Sequence, residues 1–146
     1  MKLKQLSLFL ENKPGALSRP IGLLSKNEFN ILTLSLADTQ NFGILRLIVR
    51  DWEKAKKLLE KEGFVVKVTD VVAVAVPDRP GGLSGILAPL EKAGINVEYM
   101  YAFTLRSEGK GVLVIRFDDP DSAVDLLKKK GIDVLGMVEL YEKFEK

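Results

Sequence analysis

The fold is decided by residues 12–18, Asn-Lys-Pro-Gly-Ala-Leu-Ser, which return at residues 78–84 as Asp-Arg-Pro-Gly-Gly-Leu-Ser. The two stretches lie 66 residues apart, and further matches follow at the same spacing: Leu24 with Leu90, Lys26 with Lys92, and Asn30 with Asn96. After an insertion of two residues the matches continue at a spacing of 68, from Gly43 with Gly111 to Gly63 with Gly131. Self-similarity at a fixed spacing indicates a duplicated structural unit. We therefore expect two domains, residues 1–69 and 70–146.

Each copy is predicted to run strand, helix, strand, strand, helix, strand. In copy one, Leu6, Leu8 and Leu10 alternate as in a strand, whereas Leu17, Ile21 and Leu24 have helical spacing. Asp51 is predicted to cap the second helix, and Gly63 to end it. The predicted elements of copy one are residues 3–10, 15–27, 31–37, 44–49, a helix between Asp51 and Gly63, and 64–68.

Copy two is predicted to repeat this order, with two prolines that affect its helices. Pro120 suits the first turn of a helix. Pro89 falls inside a predicted helix, where a proline removes a hydrogen bond, so we expect a kink or a shortened helix there. The predicted elements are residues 71–76, 82–93, 95–105, 111–117, a helix from Pro120 to Gly131, and 134–141.

This element order predicts an α+β fold made of two ferredoxin-like βαββαβ units. Each unit would have an antiparallel sheet with its helices on one face. A unit of about 70 residues buries little surface alone. Because almost no linker separates the copies, we expect them to pack together as a pseudo-dimer within the chain.

Composition limits the chemistry of this protein. There is no Cys and no His, so thiolate nucleophiles, sulfur ligands and the commonest general base are all missing. With 22 basic and 20 acidic residues, the charge gives no reason to expect nucleic acid or an anionic membrane as a partner. No long apolar run or signal peptide is apparent, which favours a cytoplasmic protein. We expect a protein that is not an enzyme and needs no cofactor or metal.

The repeated Pro-Gly turn has chemistry suited to a ligand. Gly15 and Gly81 lack a Cβ, so another group can approach the backbone closely, and the helix start behind each attracts a carboxylate. Asn12 can donate or accept a hydrogen bond, whereas Asp78 only accepts and suits an ammonium group. Asn30 and Asn96 open the next strand, beside the sheet edge where the turn is expected. An α-amino acid needs this combination, although an ordinary strand-to-helix connector also explains the turn.

At these residues the sequence resembles the ACT domain, a regulatory module that binds amino acids and controls metabolic enzymes. The resemblance covers the whole chain as two copies. It implies a ligand between two modules, against the first-strand turn of one and the second-strand start of its neighbour. The residues implied are Asn12, Pro14, Gly15, Ala16, Leu17 and Asn30 in copy one, and Asp78, Pro80, Gly81, Gly82, Leu83 and Asn96 in copy two.

Copy one also resembles the opening of the acetolactate synthase regulatory small subunit, through residues 11–19, 21–23 and 30–31. That family continues into a different C-terminal domain, whereas here a second ACT-like copy follows. The resemblance implies a non-catalytic regulatory protein that forms a homodimer, binds a free amino acid and modulates a metabolic enzyme. A diverged subunit of an amino-acid biosynthetic enzyme and an assembly module without a ligand are the alternatives.

Two other sites are weighed and not favoured. Residues 110–117 superficially resemble the strand signature of RNA-binding domains, but Val112 and Val114 stand where stacking aromatics are required. The acidic run at 118–121 could suggest a metal site, but helix capping explains it more simply. The bulky residues Tyr99 to Phe103 are expected to pack in the core or between the copies.

Overall fold

The computed structural model describes residues 1–103 and 109–144. The chain divides into two compact units, one formed by Lys4–Thr69 and the other by Asp70–Lys146 together with Met1–Leu3. Both units have the ferredoxin-like βαββαβ fold. None of the helices in these described ranges is long and apolar enough to span a bilayer.

The first unit is built around three antiparallel strands. Its elements are β1 (Leu3–Glu11), α1 (Ser18–Lys26), β2 (Ile31–Thr39), β3 (Phe42–Val49), α2 (Trp52–Lys61) and the first residues of β4 (Val66–Pro77). Strand β3 lies between β1 and β2, with Leu45 opposite both Leu8 and Leu36. Helices α1 and α2 contribute Leu24 and Leu59 to the core that Leu8 and Leu45 line. The predicted leucine alternation therefore becomes the inner face of this sheet.

The second unit repeats this arrangement and adds a terminal helix. Its elements are the remainder of β4, α3 (Gly82–Lys92), β5 (Val97–Ala102), β6 (Lys110–Phe117), α4 (Pro120–Lys129), β7 (Val134–Leu135) and α5 (Met137–Phe144). Strand β6 lies between β4 and β5, and β7 pairs with β4. Val74, Ile115 and Phe117 pack with Ile86 and Leu127 in its core.

The first three residues group with the second unit, and Lys2 forms ion pairs there. Its Nζ atom lies 2.9 Å from Oδ1 of Asp121 and 3.8 Å from Oδ2 of Asp70. The hydrogen bond and the charge of Asp121 raise the pKa of Lys2 above its ordinary value. Lys2 thus contacts residues that are about 70 and 120 positions later in the sequence.

The structure corrects two strand predictions. The strands predicted at 64–68 and 71–76 are one strand, β4, because no Gly or Pro interrupts Val66–Val76 and the single Asp70 does not break it. Of the strand predicted at 95–105, Val97–Ala102 is present, and residues 104 and 105 lie outside the described part of the chain.

The closing strand predicted at 134–141 is confirmed only over Val134–Leu135. It ends at Leu135, and α5 begins at Met137. Val138 is 69% exposed whereas Leu140 is 1% exposed. Residues two apart share one face of a strand but lie on opposite faces of a helix, so this burial pattern requires a helix.

Prolines shape the two first helices differently from the prediction. Helix α1 starts at Ser18 rather than Gly15, because Pro20 has no N–H and fits only within the first turn of a helix. Helix α3 continues through Pro89 to Lys92, so the predicted shortening is wrong. Pro89 removes only its own N–H from the helix, and its carbonyl still accepts from the N–H of Ala93 at 3.1 Å.

The predicted helix caps are confirmed in copy two and only partly in copy one. Asp119 precedes α4 and accepts hydrogen bonds from the backbone N–H and the hydroxyl of Ser122, at 3.2 and 2.7 Å. Asp51 occupies the equivalent position before α2, but its side chain makes no capping bond. Gly63 and Gly131 follow the helix ends with φ of +92° and +73°, as their predicted roles require.

Candidate functional site

The two Pro-Gly turns share one backbone conformation. Gly15 has a φ of +86° and Gly81 a φ of +85°, a left-handed conformation that glycine adopts most readily. The N–H of Lys13 donates to the carbonyl of Glu11 at 3.0 Å, and the N–H of Arg79 to that of Pro77 at 2.9 Å. The duplicated sequence therefore encodes a duplicated turn.

Each turn is attached to the hairpin that joins the second and third strands of its unit. The N–H of Asn12 donates to the carbonyl of Asn41, and the N–H of Asp78 to that of Gly109, both at 2.9 Å. In copy one the side chain adds a further bond, in which Nδ2 of Asn12 donates to the carbonyl of Gln40 at 2.9 Å. A carboxylate has no N–H, so Asp78 cannot make the corresponding bond.

The copies diverge after the turn. Helix α3 begins at Gly82, directly behind Gly81, with no side-chain cap. A Cβ on Gly82 would overlap the carbonyl oxygen of Pro77. Copy one has Ala16 at the position of Gly82, and its helix begins two residues later, behind Leu17. The uncapped N–H groups at the start of α3 therefore lie closer to the turn than those of α1.

Two cavities flank the turn of copy two and divide its predicted site residues. The larger, about 680 Å³, is lined by Asp78 and Leu83. The smaller, about 420 Å³, is lined by Gly81 and Gly82. Pro80 lines both cavities. The structure therefore places Asp78 on one side of the turn and the helix start on the other, rather than in a single pocket.

Charged residues that the sequence interpretation missed also line these cavities. Arg79 lines both, and Lys110 and Asp133 line the smaller one, where Nζ of Lys110 lies 3.0 Å from Oδ2 of Asp133. The repeat contained a signal for Arg79, because its counterpart Lys13 is also basic. No sequence signal links Lys110 to Asp133, since strand pairing brings them together.

Asn30 and Asn96 do not lie beside the turn of their own unit, and that expectation is wrong. In the first unit, Glu11 pairs with Phe42 at one end of β3 and Ile31 pairs with Val49 at the other. At about 3.3 Å per residue, these ends are about 23 Å apart. A site that contains both the turn and the second-strand start therefore needs a second ACT unit.

The second-strand starts have surroundings of their own. Asn30 lines a cavity of about 430 Å³ with Ile21, Ser25 and Phe29. The backbone N–H of Asn96 donates to Oδ1 of Asp118 at 3.0 Å, and its carbonyl accepts from the N–H of Asp118 at 3.1 Å. Asp118 thus organises a strand start rather than a metal site.

The aromatic strand of copy two has a mixed environment. Phe103 is 9% exposed and lines the larger cavity, Tyr99 and Tyr101 are half-buried, and Met100 is 37% exposed. Val112 and Val114 are buried on β6, where an RNA-binding domain would present stacking aromatics. These positions offer no surface for RNA bases.

The duplicated ferredoxin-like unit with a turn at its first strand defines a class of small regulatory modules. A family model described as an ACT domain pair matches residues 1–143. The chain belongs to this ACT domain pair family, which confirms the resemblance drawn from the repeated turn.

Curated relatives are acetolactate synthase small subunits. A probable acetolactate synthase small subunit from Archaeoglobus fulgidus is 28% identical over 142 residues, covering 89% of each chain. The isozyme 3 small subunit of Escherichia coli is 39% identical over 70 residues, 48% of this chain and 43% of that subunit. That of Buchnera aphidicola subsp. Baizongia pistaciae is 36% identical over 77 residues. The match spans 48% of the Buchnera subunit.

Solved structures show the same fold along the chain. Protein BT0572 from Bacteroides thetaiotaomicron is 41% identical, with a TM-score of 0.90 and 97% of each chain covered. The regulatory subunit of aspartate kinase from Thermus thermophilus is 15% identical, with a TM-score of 0.63, and covers 86% of this chain and 91% of its own. The second of these likenesses concerns the fold alone.

Proposed function

We propose that this chain is a non-catalytic regulatory protein that binds a free amino acid at the Pro-Gly turn of an ACT unit. The observation that carries the proposal is that Asp78 lines a cavity of about 680 Å³ at that turn. Asp78 is exposed, and its carboxylate is suited to an ammonium group because it can accept charge-assisted hydrogen bonds from that group. The lack of Cys and His agrees with a binding role.

The carboxylate of the ligand has a suitable partner close to Asp78. Arg79 lines the same cavity and supplies a guanidinium group, which matches the geometry of a carboxylate. Opposite charges are therefore available for the two ends of a zwitterion.

The proposed regulation uses a homodimer and a metabolic enzyme. Because the turn and Asn30 lie at opposite ends of one sheet, we propose that a second copy of the chain supplies the second-strand start. A ligand bound by groups of two chains stabilises one dimer arrangement over another and thereby changes contact with the enzyme. The regulatory subunits among the relatives and fold neighbours support such a partner.

A second candidate is a regulatory subunit of acetolactate synthase. The alignment with the Archaeoglobus fulgidus protein favours it, because 142 residues align and the second ACT copy is therefore included. Adding the chain to the acetolactate synthase catalytic subunit of the same organism tests this candidate. A change in the rate of acetolactate formation supports it, and an unchanged rate with no co-elution contradicts it.

A thermal-shift screen of the twenty amino acids tests the amino-acid proposal. A ligand that binds the folded chain and not the unfolded chain raises the melting temperature with concentration. We expect one amino acid, or one small chemical group of them, to raise it at millimolar concentration. No shift with any of the twenty would leave an assembly module as the better description of the chain.

A further inference from the structure

We propose that Glu28 is a further ligand-binding residue, and that its carboxylate receives the ammonium group of the amino acid. Glu28 lies outside the Pro-Gly turn, between the end of α1 and the start of β2. It lines the cavity of about 430 Å³ that Asn30 also lines. The inference rests on the proposed amino-acid binding and adds to it a charged group at the second-strand start.

The backbone of Glu28 has a conformation that glycine adopts more readily. Its φ is +61°, in the left-handed region that non-glycine residues rarely adopt. The N–H of Glu28 donates to the carbonyl of Ser25 at 3.0 Å, and the N–H of Phe29 donates to that of Leu24 at 2.9 Å. These two bonds close the end of α1 and turn the chain towards β2.

Elsewhere in the described ranges, three helices lead into a strand through the same turn, and each has glycine at this position. The glycines are Gly63, Gly94 and Gly131, with φ of +92°, +73° and +73°. Each donates its N–H to the carbonyl three residues earlier, at 3.0 or 3.1 Å, as Glu28 does. Gly94 is the counterpart of Glu28 in the repeat, 66 residues later. Glycine can therefore make this turn, and a glutamate in it adds backbone strain.

No contact inside the described part of the chain accounts for this strain. Within residues 1–103 and 109–144, the carboxylate of Glu28 has no hydrogen bond or ion pair, and the residue is exposed. Backbone strain of this kind is concentrated at ligand sites, where it is part of the function. The side chain of Glu28 is therefore available to a group from outside the chain.

The cavity beside Glu28 has the chemistry of an amino-acid site. Its polar lining residues are Ser25, Glu28 and Asn30, and its apolar ones are Ile21, Phe29 and Ile31. A carboxylate accepts charge-assisted hydrogen bonds from an ammonium group. An ammonium group has three N–H donors, so it can bond at once to Glu28 and to the Pro-Gly turn of a second copy of the chain. The apolar residues match the carbon atoms of the ligand.

Isothermal titration calorimetry tests the inference, with the L-amino acid that gives the largest thermal shift as the probe. Glu28→Gln keeps the size of the side chain and removes its charge. It should weaken binding about tenfold or more, which corresponds to the loss of a hydrogen bond to a charged group. Glu53→Gln is the matched control, because Glu53 is an exposed glutamate at the start of α2 and does not line the cavity. Its dissociation constant should stay within about twofold of the wild-type value.

Glu28→Gly separates a binding role from a structural one. Glycine relieves the backbone strain, so the melting temperature of the ligand-free protein should rise by about 2–4 °C. The same variant should bind the amino acid about tenfold or more weakly, because the carboxylate is gone. Stabilisation with unchanged affinity would overturn the inference, and so would unchanged affinity in Glu28→Gln.

Sedimentation equilibrium without ligand distinguishes the amino acid from a basic side chain of the second copy as the partner of Glu28. We expect Glu28→Gln to leave the dissociation constant of the ligand-free dimer within about twofold. A weaker ligand-free dimer would show that the carboxylate pairs with the second copy, and would overturn the inference. If no amino acid binds the wild-type chain in calorimetry or thermal shift, the proposed function itself is wrong, and the inference falls with it.

Discussion

The carbonyl oxygen of Pro77 occupies the space that a Cβ on Gly82 would need. This contact brings the first residue of α3 against the end of β4, so that the helix starts directly behind the turn. In copy one, Ala16 carries a Cβ at the equivalent position, and α1 begins two residues later in the repeat. The two copies of the motif therefore differ by one methyl group at this position, and their helices begin at different points after the turn.

Gly82→Ala should destabilise the protein because the added methyl meets a backbone oxygen that no side-chain rotation can move. Overpacking of this kind costs about 1–3 kcal/mol. Gly85→Ala is the matched control: it lies in the same helix, and its Cβ would meet nothing within 4 Å. The control should stabilise by about 0.5–1 kcal/mol, the helix-interior preference for alanine. Urea unfolding measures both free energies, and equal effects would contradict the contact.

Gly15→Ala and Gly81→Ala should destabilise by similar amounts, because the two glycines have nearly the same positive φ. Each should lower the free energy of unfolding by roughly 1–2 kcal/mol, the cost of a left-handed alanine. Gly22→Ala is the control, since it lies within α1 and has open space around its Cβ. A large effect at one turn and none at the other would show that the turns differ in backbone conformation.

Much of the fold could be predicted because it depends on local patterns that occur twice. Leucine alternation in β1 and the glycines after the helices each act within a few residues, and the second copy confirmed each interpretation of the first. The continuous β4 was missed because a duplication suggests a boundary between its copies, whereas the backbone pairing of a strand can continue across that boundary. The late start of α1 follows from Pro20, a local cause that the predicted helix start at residue 15 did not take into account.

The candidate site was less predictable because its geometry depends on the pairing of strands that are far apart in the sequence. The motif correctly gave the turn and its glycines, but Arg79 and Lys110 line cavities that β4 and β6 form only when paired. Sequence could not show that Asp78 and Gly81 face different cavities, nor that Asn30 lies at the far end of its sheet. The spacing of residues along the chain does not show which cavity each side chain will face.

Leu140→Ala and Val138→Ala should differ sharply, which tests the helix that replaced the predicted closing strand. Leu140 is 1% exposed, and its truncation should cost about 2–5 kcal/mol through lost packing. Val138 is 69% exposed, and its change should stay within about 0.5 kcal/mol. A strand would place both side chains on one face, so equally large or equally small effects in urea unfolding would favour the strand.

Asp119→Ala should destabilise the protein more than Asp51→Ala, because Asp119 accepts two bonds from Ser122 and Asp51 makes no capping bond. The hydroxyl and backbone bonds from Ser122 hold the pKa of Asp119 below its ordinary value of 3.8. A lowered folded-state pKa stabilises the folded state above pH 3.8, and that contribution is lost as the pH falls through the folded-state pKa. Urea unfolding at several pH values should therefore show the difference between wild type and Asp119→Ala shrinking in acid. A difference that is independent of pH would contradict the carboxylate cap.

Gly111→Leu and Gly85→Leu should separate the two cavities as ligand sites. Both glycines have open space where a Cβ would stand, and Gly111 lines the larger cavity while Gly85 lines the smaller one. If the ammonium group of the ligand meets Asp78, a leucine at 111 takes up its space and should weaken binding about tenfold or more, a loss of about 1.4 kcal/mol. A leucine at 85 should leave the dissociation constant within about twofold, because that cavity does not contain Asp78. Titration calorimetry on both variants measures the two dissociation constants. Weaker binding in Gly85→Leu alone would move the ligand to the start of α3. Equal weakening in both variants would mean that the ligand reaches across Pro80 into both cavities.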